Sequence, residues 1–565
     1  MLKKRWMLAL SAWLKRHLLM PAFLGNRTVS SAGWCTIPLR LQSCTIIAFV
    51  AVNIALCVSS YEVFPGNLKR PSIPRQITRL IGRRTGVVIM ANLPLMWTFA
   101  MRNNILSWAS GWSFATFNSF HRWISRVVMG ELIAHAIAYS LSEYYSGGLK
   151  KYDAQWPQEY WWWGVVSIIA GSIATASAAY PVRQRFYDAF LLGHIMLATM
   201  FLIGTWFHIK KQDNEFDMYF WPCVAVWTFD RALRLGRILM LNRSFGRATI
   251  AYDRASDLIH LDVPTRSVTN PQAGTYYYVY LLHGTKFWES HPFTLSSWEA
   301  TTGEQGGGGQ TLKFLIRPLK GFTGRLKDLA VQNIHAENGS KDQPQRFVSA
   351  LVEGTYGHAN SLSSYSSALI IVGGSGITVA SSHLHSLNDA FNKHQHIAAR
   401  RVRVVWAVRR LELASDLLQN NILPWLVESR LASRVNVTFD IFVTEPIAKG
   451  ALSPLEKEPL PKSGNSNEDS RYFKGAQATV EPTSVRDGSD EPSEKATPSV
   501  QIHAGRPPLR DICLDYADRF ASQGGRVALV CCGPPAMTDD VRAQAIEATS
   551  TGVDNMDFFP ESFSW

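Results

Sequence analysis

Four histidines form two pairs with identical spacing in the most apolar part of this 565-residue sequence. His121 and His135 lie fourteen positions apart (135 − 121), and so do His194 and His208 (208 − 194). Fourteen residues make about 3.9 turns of an α-helix, so both imidazoles of a segment face nearly the same direction, roughly 21 Å apart along the axis. Two neighbouring helices with this spacing bring four imidazoles together as two stacked pairs.

Ionisable groups are costly inside a membrane and are usually kept there for function. Neutral imidazole is an axial ligand of haem iron, and the porphyrin is apolar enough for the interior of a helix bundle. The sequence therefore predicts two bis-histidine b-type haems. His121 and His194 would hold the inner haem, on the cytosolic side of the membrane, and His135 and His208 would hold the outer one. The alternative is that these histidines cap helix ends or bond to each other.

Three glycines stand near the histidines in the same segments, at Gly130, Gly193 and Gly204. A glycine leaves space beside a helix, and we expect these three to give the macrocycles room. The alternative is that they serve helix packing, which is the commoner use of small residues in membrane spans.

Composition divides the chain into two unlike halves. Residues 35 to 240 contain long apolar runs with few charges, whereas residues 245 to 565 have the composition of an ordinary soluble α/β protein. The formal net charge is +13, and many basic residues flank apolar runs, which favours membrane orientation over nucleic-acid binding. The seven cysteines include no CxxC pair, so neither a zinc site nor a disulfide framework is indicated.

Six segments are apolar and long enough to cross about 30 Å of hydrocarbon, which takes roughly 20 residues. They cover residues 38–60, 86–108, 119–141, 161–180, 186–208 and 218–240. Six spans place both chain ends in the cytosol, with residues 1–34 as a cytosolic or interfacial segment without a leader. The basic stretch 67–84 then falls outside the cell, against the positive-inside rule.

The second half of the chain changes pattern twice. Short alternating segments after residue 240 predict an antiparallel β-barrel, assigned to residues 243–364. From Ser367, strand and helix patterns alternate, which predicts a Rossmann-like α/β domain over residues 365–565 after a transmembrane domain over 35–242. Residues 448–505 are rich in Pro, Ser, Glu and Lys, so we expect a disordered insertion there.

The stretch HPFTLSS, residues 291–297, has the residue types that a flavin needs. A bound flavin takes an aromatic face against its ring, a hydroxyl near its N5 edge and donors for its pyrophosphate. Phe293 and Thr294 fit the first two roles, and Ser296 and Ser297 fit the third. A plain β-turn is the alternative for the His291-Pro292-Phe293-Thr294 segment.

Two turns at predicted strand ends have the composition of a dinucleotide site. In VGGSGIT, residues 372–378, glycines allow close approach to a pyrophosphate and the following helix N-terminus supplies partial positive charge. The residues concerned are Gly373, Gly374, Ser375, Gly376, Ile377 and Thr378. In CCGPPAM, Cys532, Gly533 and Pro534 follow a later strand, and Cys532 would lie beside a nicotinamide ring or be a buried small residue.

The stretch RNNILSWASGWSFATFNSFHRW, residues 102–123, resembles the fungal ferric reductases, membrane flavocytochromes related to the NADPH oxidases. The resemblance covers about residues 40 to 565 apart from the insertion. Five signals occur in the family's order: the two histidine pairs, His291-Pro-Phe-Thr294, Glu353-Gly354, Gly373-Gly-Ser-Gly376 and Cys532-Gly533-Pro534. The sequence departs from the family at Glu353-Gly-Thr-Tyr-Gly357 and at Gly274-Thr275.

The spans and the resemblance together imply a multi-domain membrane protein. It would have a six-helix all-α transmembrane haem bundle, a ferredoxin-reductase-like β-barrel for FAD and a Rossmann-like α/β domain for NADPH. The resemblance implies that Arg317 helps to hold FAD, that Trp406 and Arg409 flank NADPH, and that Phe563 covers the flavin until nicotinamide displaces it. The basic residues Arg401, Arg403 and Arg409 would bind the 2′-phosphate of NADPH or form a solvated face.

The expected function is electron transfer across the plasma membrane, from cytosolic NADPH through FAD and two haems to ferric chelates outside. Cupric ion is a further candidate acceptor, and the activity would support iron uptake. The cofactors do the chemistry, so no side chain is assigned a catalytic role. Membrane lipid and a ferric chelate are the expected partners, with no nucleic acid, and the histidine-rich SHLHS and KHQHI stretches are assigned no metal. The alternatives are an NADPH oxidase that makes superoxide and a non-enzymatic membrane protein with an inactive reductase fold.

Overall fold

A computed structural model describes residues 10–25, 27–28, 36–211, 214–242, 247–266, 270–301, 309–331, 346–445, 498–521, 525–550 and 555–561. The chain divides into two compact units. Residues 17–236 belong to the first, named here the helical unit, and residues 1–16 and 237–564 belong to the second, the α/β unit.

Long helices account for most of the helical unit. They are α1 Arg40–Val58, α2 Ile73–Phe99, α3 Phe114–Asp153, α4 Glu159–Ser177, α5 Tyr187–Ile209 and α6 Asp217–Leu241. Ser113 begins α3 by accepting a hydrogen bond from the amide of Thr116, the usual role of a serine N-cap. Near its far end α3 is interrupted at Gly147 and Gly148, whose backbone leaves the helical conformation.

Three of the helices qualify as membrane spans by length and composition within the described residues. These are α1, α3 and α5. Helices α2, α4 and α6 overlap the other predicted spans without meeting the same measure, so the count of six spans is not confirmed and stays a prediction.

The predicted second span, residues 86–108, is wrong in its bounds. Helix α2 begins at Ile73 and ends at Phe99, so Arg102 lies beyond it. Much of the basic stretch 67–84, predicted as a loop, forms the first turns of this helix because nothing between Ile73 and Arg84 breaks a helix after Pro74, which is tolerated in a first turn.

Helix packing in this unit depends on glycine. A Cβ atom at Gly82 in α2 would lie 2.5 Å from the ring of Tyr139 in α3, and one at Gly204 in α5 would lie 2.5 Å from the Ser167 hydroxyl in α4. Such contacts allow α2 to approach α3 and α4 to approach α5 closely. Gly204 therefore serves helix packing, and the prediction that it makes room for a macrocycle is wrong.

The first half of the α/β unit is an antiparallel sheet that curls on itself. Its strands are β1 Arg247–Asp253, β2 Leu258–Arg266, β3 Thr275–Leu281, β4 Ser290–Thr294, β5 Ser297–Thr301, β6 Gly309–Ile316 and β7 Arg346–Gly357, in the order β4-β3-β7-β1-β2-β6-β5. The amide of Leu295 donates to Thr275 of β3 (3.2 Å), whereas the next amide, Ser296, donates to Lys313 of β6 (3.0 Å). Consecutive residues thus join opposite parts of the sheet. Helix α7, Phe322–Val331, follows β6.

The second half is a parallel sheet flanked by helices. Its strands are β8 Ser367–Gly373, β9 Arg401–Val408, β10 Asn436–Val443, β11 Ser499–Ala504, β12 Val527–Cys532 and β13 Met556–Pro560, in the order β11-β10-β9-β8-β12-β13. The helices are α8 Ile377–Asn392, α9 Leu411–Leu417, α10 Leu423–Glu428, α11 Leu509–Ala521 and α12 Pro535–Ser550. Near-continuous apolar runs such as Ala368 to Val372 are fully buried, as expected for a strand covered on both faces.

Strand β11 corrects the predicted insertion of residues 448–505. Ser499 to Ala504 pair in parallel with Thr438 to Val443 of β10, and their polar and apolar side chains alternate as expected of a strand. Residues 446–497, which contain the rest of the predicted insertion, lie outside the described residues.

Two carboxyl groups hydrogen bond to each other where the antiparallel sheet meets α9. Burial raises the pKa of Asp416, and the bond to Asp253 raises it further, to about 6. Burial opposes the ionisation of Asp253, but bonds from Asp416, Ser256 and Ala255 bring its pKa down to about 2. The pair therefore shares one proton in the folded protein at mildly acidic pH.

We expect the stability of the Asp416→Asn variant to depend less on pH than the stability of the parent protein. The folded pKa of Asp416 lies above its unfolded value of about 3.9, so the shared proton stabilises the fold below that pH and is lost as pH rises through about 6. An asparagine amide donates at every pH. The melting temperature of the variant relative to the parent should therefore rise between about pH 4 and pH 7. Asp515→Asn, at an exposed carboxylate, is the control, and an unchanging difference in Asp416→Asn would contradict the shared proton.

Candidate functional site

The helical unit brings the four histidines together in two pairs. The ring centres of His121 and His194 lie 6.3 Å apart with ring planes at 80°, and those of His135 and His208 lie 6.1 Å apart at 78°. A metal–imidazole bond is about 2.0 to 2.1 Å, so two imidazoles on opposite sides of one metal atom have ring centres roughly 6.3 Å apart. Both pairs have the separation that a single bridging iron requires.

Each imidazole is oriented by a backbone carbonyl of the preceding long helix. The Nδ1 of His121 contacts Met96 O at 2.9 Å, and that of His135 contacts Gly82 O at 2.8 Å. The Nδ1 atoms of His194 and His208 contact Ala174 O at 3.3 Å and Tyr160 O at 2.7 Å. A carbonyl can only accept, so every Nδ1 carries the proton and every Nε2 keeps its lone pair for a metal.

The carbonyl acceptors repeat the spacing of the histidines. Met96 and Gly82 of α2 are fourteen residues apart (96 − 82), and so are Ala174 and Tyr160 of α4 (174 − 160). These acceptors could not be predicted from the sequence, because the type of a residue does not indicate what its backbone carbonyl binds.

A glycine stands four residues after each acceptor of the outer pair. A Cβ atom at Gly86 would lie 3.0 Å from the His135 ring, and one at Gly164 would lie 2.8 Å from the His208 ring. These two glycines are the sequence signal that could have located the imidazoles. They leave each ring a slot against the neighbouring helix.

The residues fit a bis-histidine haem by donor chemistry as well as by separation. Two neutral Nε2 atoms per pair are the axial ligand set of a b-type haem. A Cβ atom at Gly130 or Gly193 would meet nothing within 4 Å among the described residues, so close helix packing does not explain either glycine, and their role beside a macrocycle stays a prediction. His121 with His194 and His135 with His208 are the residues that would hold the two irons.

The predicted flavin segment forms an edge strand and not a β-turn. His291, Pro292, Phe293 and Thr294 belong to β4, which pairs with β3 through Val279↔His291 and Tyr277↔Phe293. Strand β4 ends the sheet order, so one side of it has no strand neighbour in that order. All four side chains are half-buried, and the Phe293 ring centre lies 6.0 Å from that of Phe322.

The other predicted flavin residues are less close together. Ser296 is buried and Ser297 begins β5 opposite Lys313 of β6. Arg317 is exposed just beyond β6, four residues past Lys313, which is about 13 Å along a strand. The structure therefore does not bring the Arg317 backbone to the serines. Phe563 lies outside the described residues, which end at Glu561.

A buried carboxylate links strands β3 and β7. Glu353 of β7 is fully buried and accepts hydrogen bonds from the Tyr280 hydroxyl and, at 2.5 Å, from the Tyr356 hydroxyl. Arg237 donates to Thr355 O at 2.8 Å, and its guanidinium lies 4.7 Å from the Tyr356 ring centre. The family motif had pointed to Glu353, but its tyrosine partners were not predicted.

The two predicted nucleotide turns meet at the carboxyl ends of adjacent strands. Strands β8 and β12 are neighbours, and the chain runs from β8 to β9 on one side and reaches β12 on the other, so this is where the strand order reverses. A Cβ atom at Gly376 would lie 2.7 Å from Cys532 O, and one at Gly373 would lie 3.2 Å from Pro534. Open α/β sheets bind dinucleotides at this crevice.

The glycine-rich turn has a defined conformation. Gly374 has a φ of 54°, in the left-handed region, and its carbonyl accepts a hydrogen bond from the indole of buried Trp406 at 2.8 Å. Ser375 and Gly376 continue the turn, and Ile377 and Thr378 begin the sixteen-residue helix α8. The amide end of α8 thus points at the crevice, where it favours phosphate. Trp406 supports the turn from beneath.

Cys532 is a neutral thiol at physiological pH. Burial raises its pKa to about 12, with the nearby Glu561 and Cys531 adding to the shift. A thiol with this pKa is not a nucleophile, because only the thiolate reacts. A nicotinamide pocket can therefore be lined by Cys532, Gly533 and Pro534 without a reaction between the thiol and the cofactor.

Strand direction separates the three arginines considered for a 2′-phosphate. Arg401 begins β9 and Arg403 lies two residues further, where it pairs with Asp440 at 2.6 Å. Arg409 follows the other end of β9 and is exposed. An eight-residue strand is roughly 26 Å long, so Arg401 and Arg403 are at the wrong edge of the sheet, and Arg409 alone of the three is near the crevice.

The histidines of SHLHS have structural partners. His383 is buried and contacts the Glu561 carboxylate at 3.0 Å. His385 stacks on Trp425 with ring centres 3.6 Å apart, and burial, with a smaller effect from Lys313, lowers its pKa to about 3. Glu561 also accepts from Asn360 at 3.1 Å, which fixes the last described residue beside α8.

Three family profiles match successive parts of the chain. "Ferric reductase like transmembrane component" matches residues 85–205, "FAD-binding domain" matches 243–360 and "Ferric reductase NAD binding domain" matches 365–546. The first range contains His121, His135 and His194 and ends before His208, and the other two contain the β4 strand and the two nucleotide turns.

Yeast proteins are similar over almost the whole chain. "Ferric/cupric reductase transmembrane component 1" of Candida albicans is 26% identical over 99% of this chain and 68% of its own length. "Ferric reductase transmembrane component 3" of Saccharomyces cerevisiae is 26% identical over 98% and 71%.

Two solved structures are more distant. A flavohemoglobin from Malassezia yamatoensis is 13% identical over 87% of this chain and 99% of its own, with a TM-score of 0.31. A ferredoxin reductase of carbazole 1,9a-dioxygenase is 11% identical over 56% and 69%, also at 0.31. At these TM-scores the likeness does not define the fold, which rests on the elements described above.

Proposed function

Because this chain belongs to the ferric reductase family of membrane oxidoreductases, we propose that it carries electrons from NADPH through FAD and two b-type haems to ferric chelates across a membrane. The proposal rests on the ring-centre distances of the two histidine pairs, 6.3 Å and 6.1 Å, which allow one iron atom to bind both imidazoles of a pair. The flavin and nicotinamide domains precede the haems in the electron path because they receive the reductant.

When bound, nicotinamide supplies a hydride, the flavin divides its two electrons, and the haems pass them on singly. The chain's own residues hold these groups in order. His121 and His194 would hold one haem, and His135 and His208 would hold the other. Carbonyl acceptors at four Nδ1 atoms place the proton on Nδ1 and fix the orientation of each imidazole.

The α/β unit positions the other two groups. Phe293 and Thr294 present an aromatic face and a hydroxyl from an edge strand, and Ser296 and Ser297 follow where the chain crosses to β6. The Gly373 to Gly376 turn and the α8 amide end receive the pyrophosphate, and Cys532 lines the nicotinamide pocket as a neutral thiol. Arg409 is the candidate for the 2′-phosphate that distinguishes NADPH.

We further propose a plasma-membrane location with the α/β unit in the cytosol and the acceptor outside. Six spans would place both ends of the chain in the cytosol. The ferrous product would then support iron uptake, and cupric ion would be a second acceptor, as the printed name of the Candida albicans relative suggests for that protein.

The test is an anaerobic reduced-minus-oxidised spectrum of the purified protein with NADPH, followed by addition of ferric citrate. We expect b-type haem bands that NADPH reduces and ferric citrate reoxidises, with ferrous iron appearing in proportion. A colourless Soret region would contradict the proposal. In air, superoxide as the main product would favour the oxidase alternative, and cuprous ion should be assayed in parallel.

A further inference from the structure

Four arginines gather where α2 begins. Arg75, Arg79 and Arg83 are spaced by four residues in α2, so they follow one face of the helix, and Arg70 lies in the loop just before it. These four residues are named the arginine cluster. Like charges spaced by four on a helix repel one another, so the arrangement is unfavourable without an anion.

A buried glutamine holds the loop against the helix. The Gln76 side chain accepts from Phe64 N at 3.2 Å and donates to Phe64 O at 3.0 Å and to Arg70 O at 2.8 Å. Partial burial lowers the pKa of Arg70, and the charges of Arg79, Arg75 and Arg83 lower it further. The loop is therefore fixed with Arg70 facing the arginines of the helix.

The cluster is poorly neutralised. Arg79 pairs with Glu143 at 3.3 Å, and within the ranges that the structure describes the other three arginines have no carboxylate partner. The Nε of Arg75 is buried without a hydrogen-bond partner among those residues. Among the described residues, three cations and one buried donor thus lack a carboxylate or hydrogen-bond partner.

The cluster adjoins the ligands of the predicted outer haem. Gly82, whose carbonyl accepts from His135 Nδ1, lies between Arg79 and Arg83 in α2. The Arg79 guanidinium lies 4.7 Å from the Tyr139 ring centre, and the Tyr139 ring lies 4.7 Å from the His135 ring. One aromatic ring separates the cluster from an iron ligand.

We propose that the arginine cluster docks an anionic ferric chelate, of the ferric polycarboxylate class, for reduction by the outer haem. This inference rests on the proposed function. Guanidinium groups bind carboxylates through paired hydrogen bonds, and a buried Arg75 Nε is a preformed donor. The docked Fe(III) takes one electron from the relay and becomes Fe(II), with the chelator unchanged.

The cluster also accounts for the basic stretch that lies against the positive-inside rule. Arginine outside the membrane opposes the usual charge bias. Membrane orientation does not explain basic residues on the side where the acceptor arrives. An anion-binding site on that side does explain them.

The test combines binding and turnover. Gallium(III) citrate resembles ferric citrate in charge and size but does not accept the electron, so its dissociation constant measures docking in the resting protein. We expect the Arg75→Gln/Arg83→Gln double variant to weaken gallium citrate binding by about tenfold or more and to raise the KM for ferric citrate by a similar factor. The KM for the uncharged tris-maltolate complex of Fe(III) should change less than about twofold.

Two further variants sharpen the result. Glu143→Gln releases Arg79 from its carboxylate, so we expect gallium citrate to bind about threefold more tightly, which structural damage does not produce. Lys150→Gln, an exposed basic residue of α3 outside the cluster, is the matched control and should leave binding unchanged.

The inference is overturned if the double variant binds gallium citrate with the parent's dissociation constant. It is equally overturned if the KM values for ferric citrate and for the uncharged tris-maltolate complex rise by the same factor. Binding should also be measured with the protein in nanodiscs that contain anionic phospholipid. If that lipid displaces gallium citrate, the inference is overturned, because the cluster would then bind lipid headgroups. Missing haem bands or no ferric reduction in the parent protein contradicts the proposed function instead. Gallium citrate binding is measured without turnover, so the two failures are distinguishable.

Discussion

Ferric citrate reduction by NADPH is expected to fall more than about a hundredfold in the His135→Ala variant. Even partners behind a metal ligand cost 10- to 100-fold when they are removed, so loss of the ligand itself should cost more. His135 is one half of the outer pair, 6.1 Å from His208, and alanine leaves His208 without an opposite ligand. The measurement is the haem content of purified protein together with the steady-state ferric reduction rate.

The same variant should keep its flavin and should still reduce a soluble dye that takes electrons directly from flavin. Tyr139→Phe is the control, because it keeps the ring 4.7 Å from His135 and removes only a hydroxyl. His121→Ala should likewise lose haem and keep flavin. Normal ferric reduction in either alanine variant would mean that electrons reach the acceptor by a route without these imidazoles.

The Gly376→Val variant is expected to raise the KM for NADPH roughly a hundredfold. The first carbon of any side chain there would lie 2.7 Å from the Cys532 carbonyl, and a backbone atom cannot turn away as a side chain can. Overpacking costs up to about 3 kcal/mol, which corresponds to about a hundredfold in binding. The added methyl groups would also enter the crevice between β8 and β12.

Haem should be unaffected in this variant, so chemical reduction by dithionite should give the parent spectrum. Gly374→Ala is the matched control in the same turn. Its φ of 54° makes alanine strained, but its Cβ would meet nothing within 4 Å, so we expect a smaller effect of about 1 kcal/mol. Equal effects at the two glycines would argue for general damage to the turn over closure of the crevice.

Periodic features of the sequence predicted much of the architecture. The histidine spacing anticipated which imidazoles meet, because a straight helix converts sequence distance into direction. The buried run at Ala368 to Val372 and the turn after it located β8 and the start of α8 for the same reason. Each of these depends on local geometry alone.

Other features depend on contacts that residue type does not encode. The carbonyls of Met96 and Tyr160 orient imidazoles although neither side chain is involved. Strand β11 has only six residues, and its place in the sheet is defined by pairing with β10. Sequence alone leaves Arg401 as a candidate for the 2′-phosphate, whereas the direction of β9 puts it at the opposite edge of the sheet.

The repeat of fourteen, present in both histidines and carbonyl acceptors, limits how these genes can change in length. A single inserted residue between His121 and His135 would swing the second imidazole by about 100° around its helix and break both its acceptor contact and its pairing. Substitutions leave this spacing unchanged because they do not alter the number of residues in a helix. We therefore expect insertions and deletions among relatives to fall in the connections between these helices.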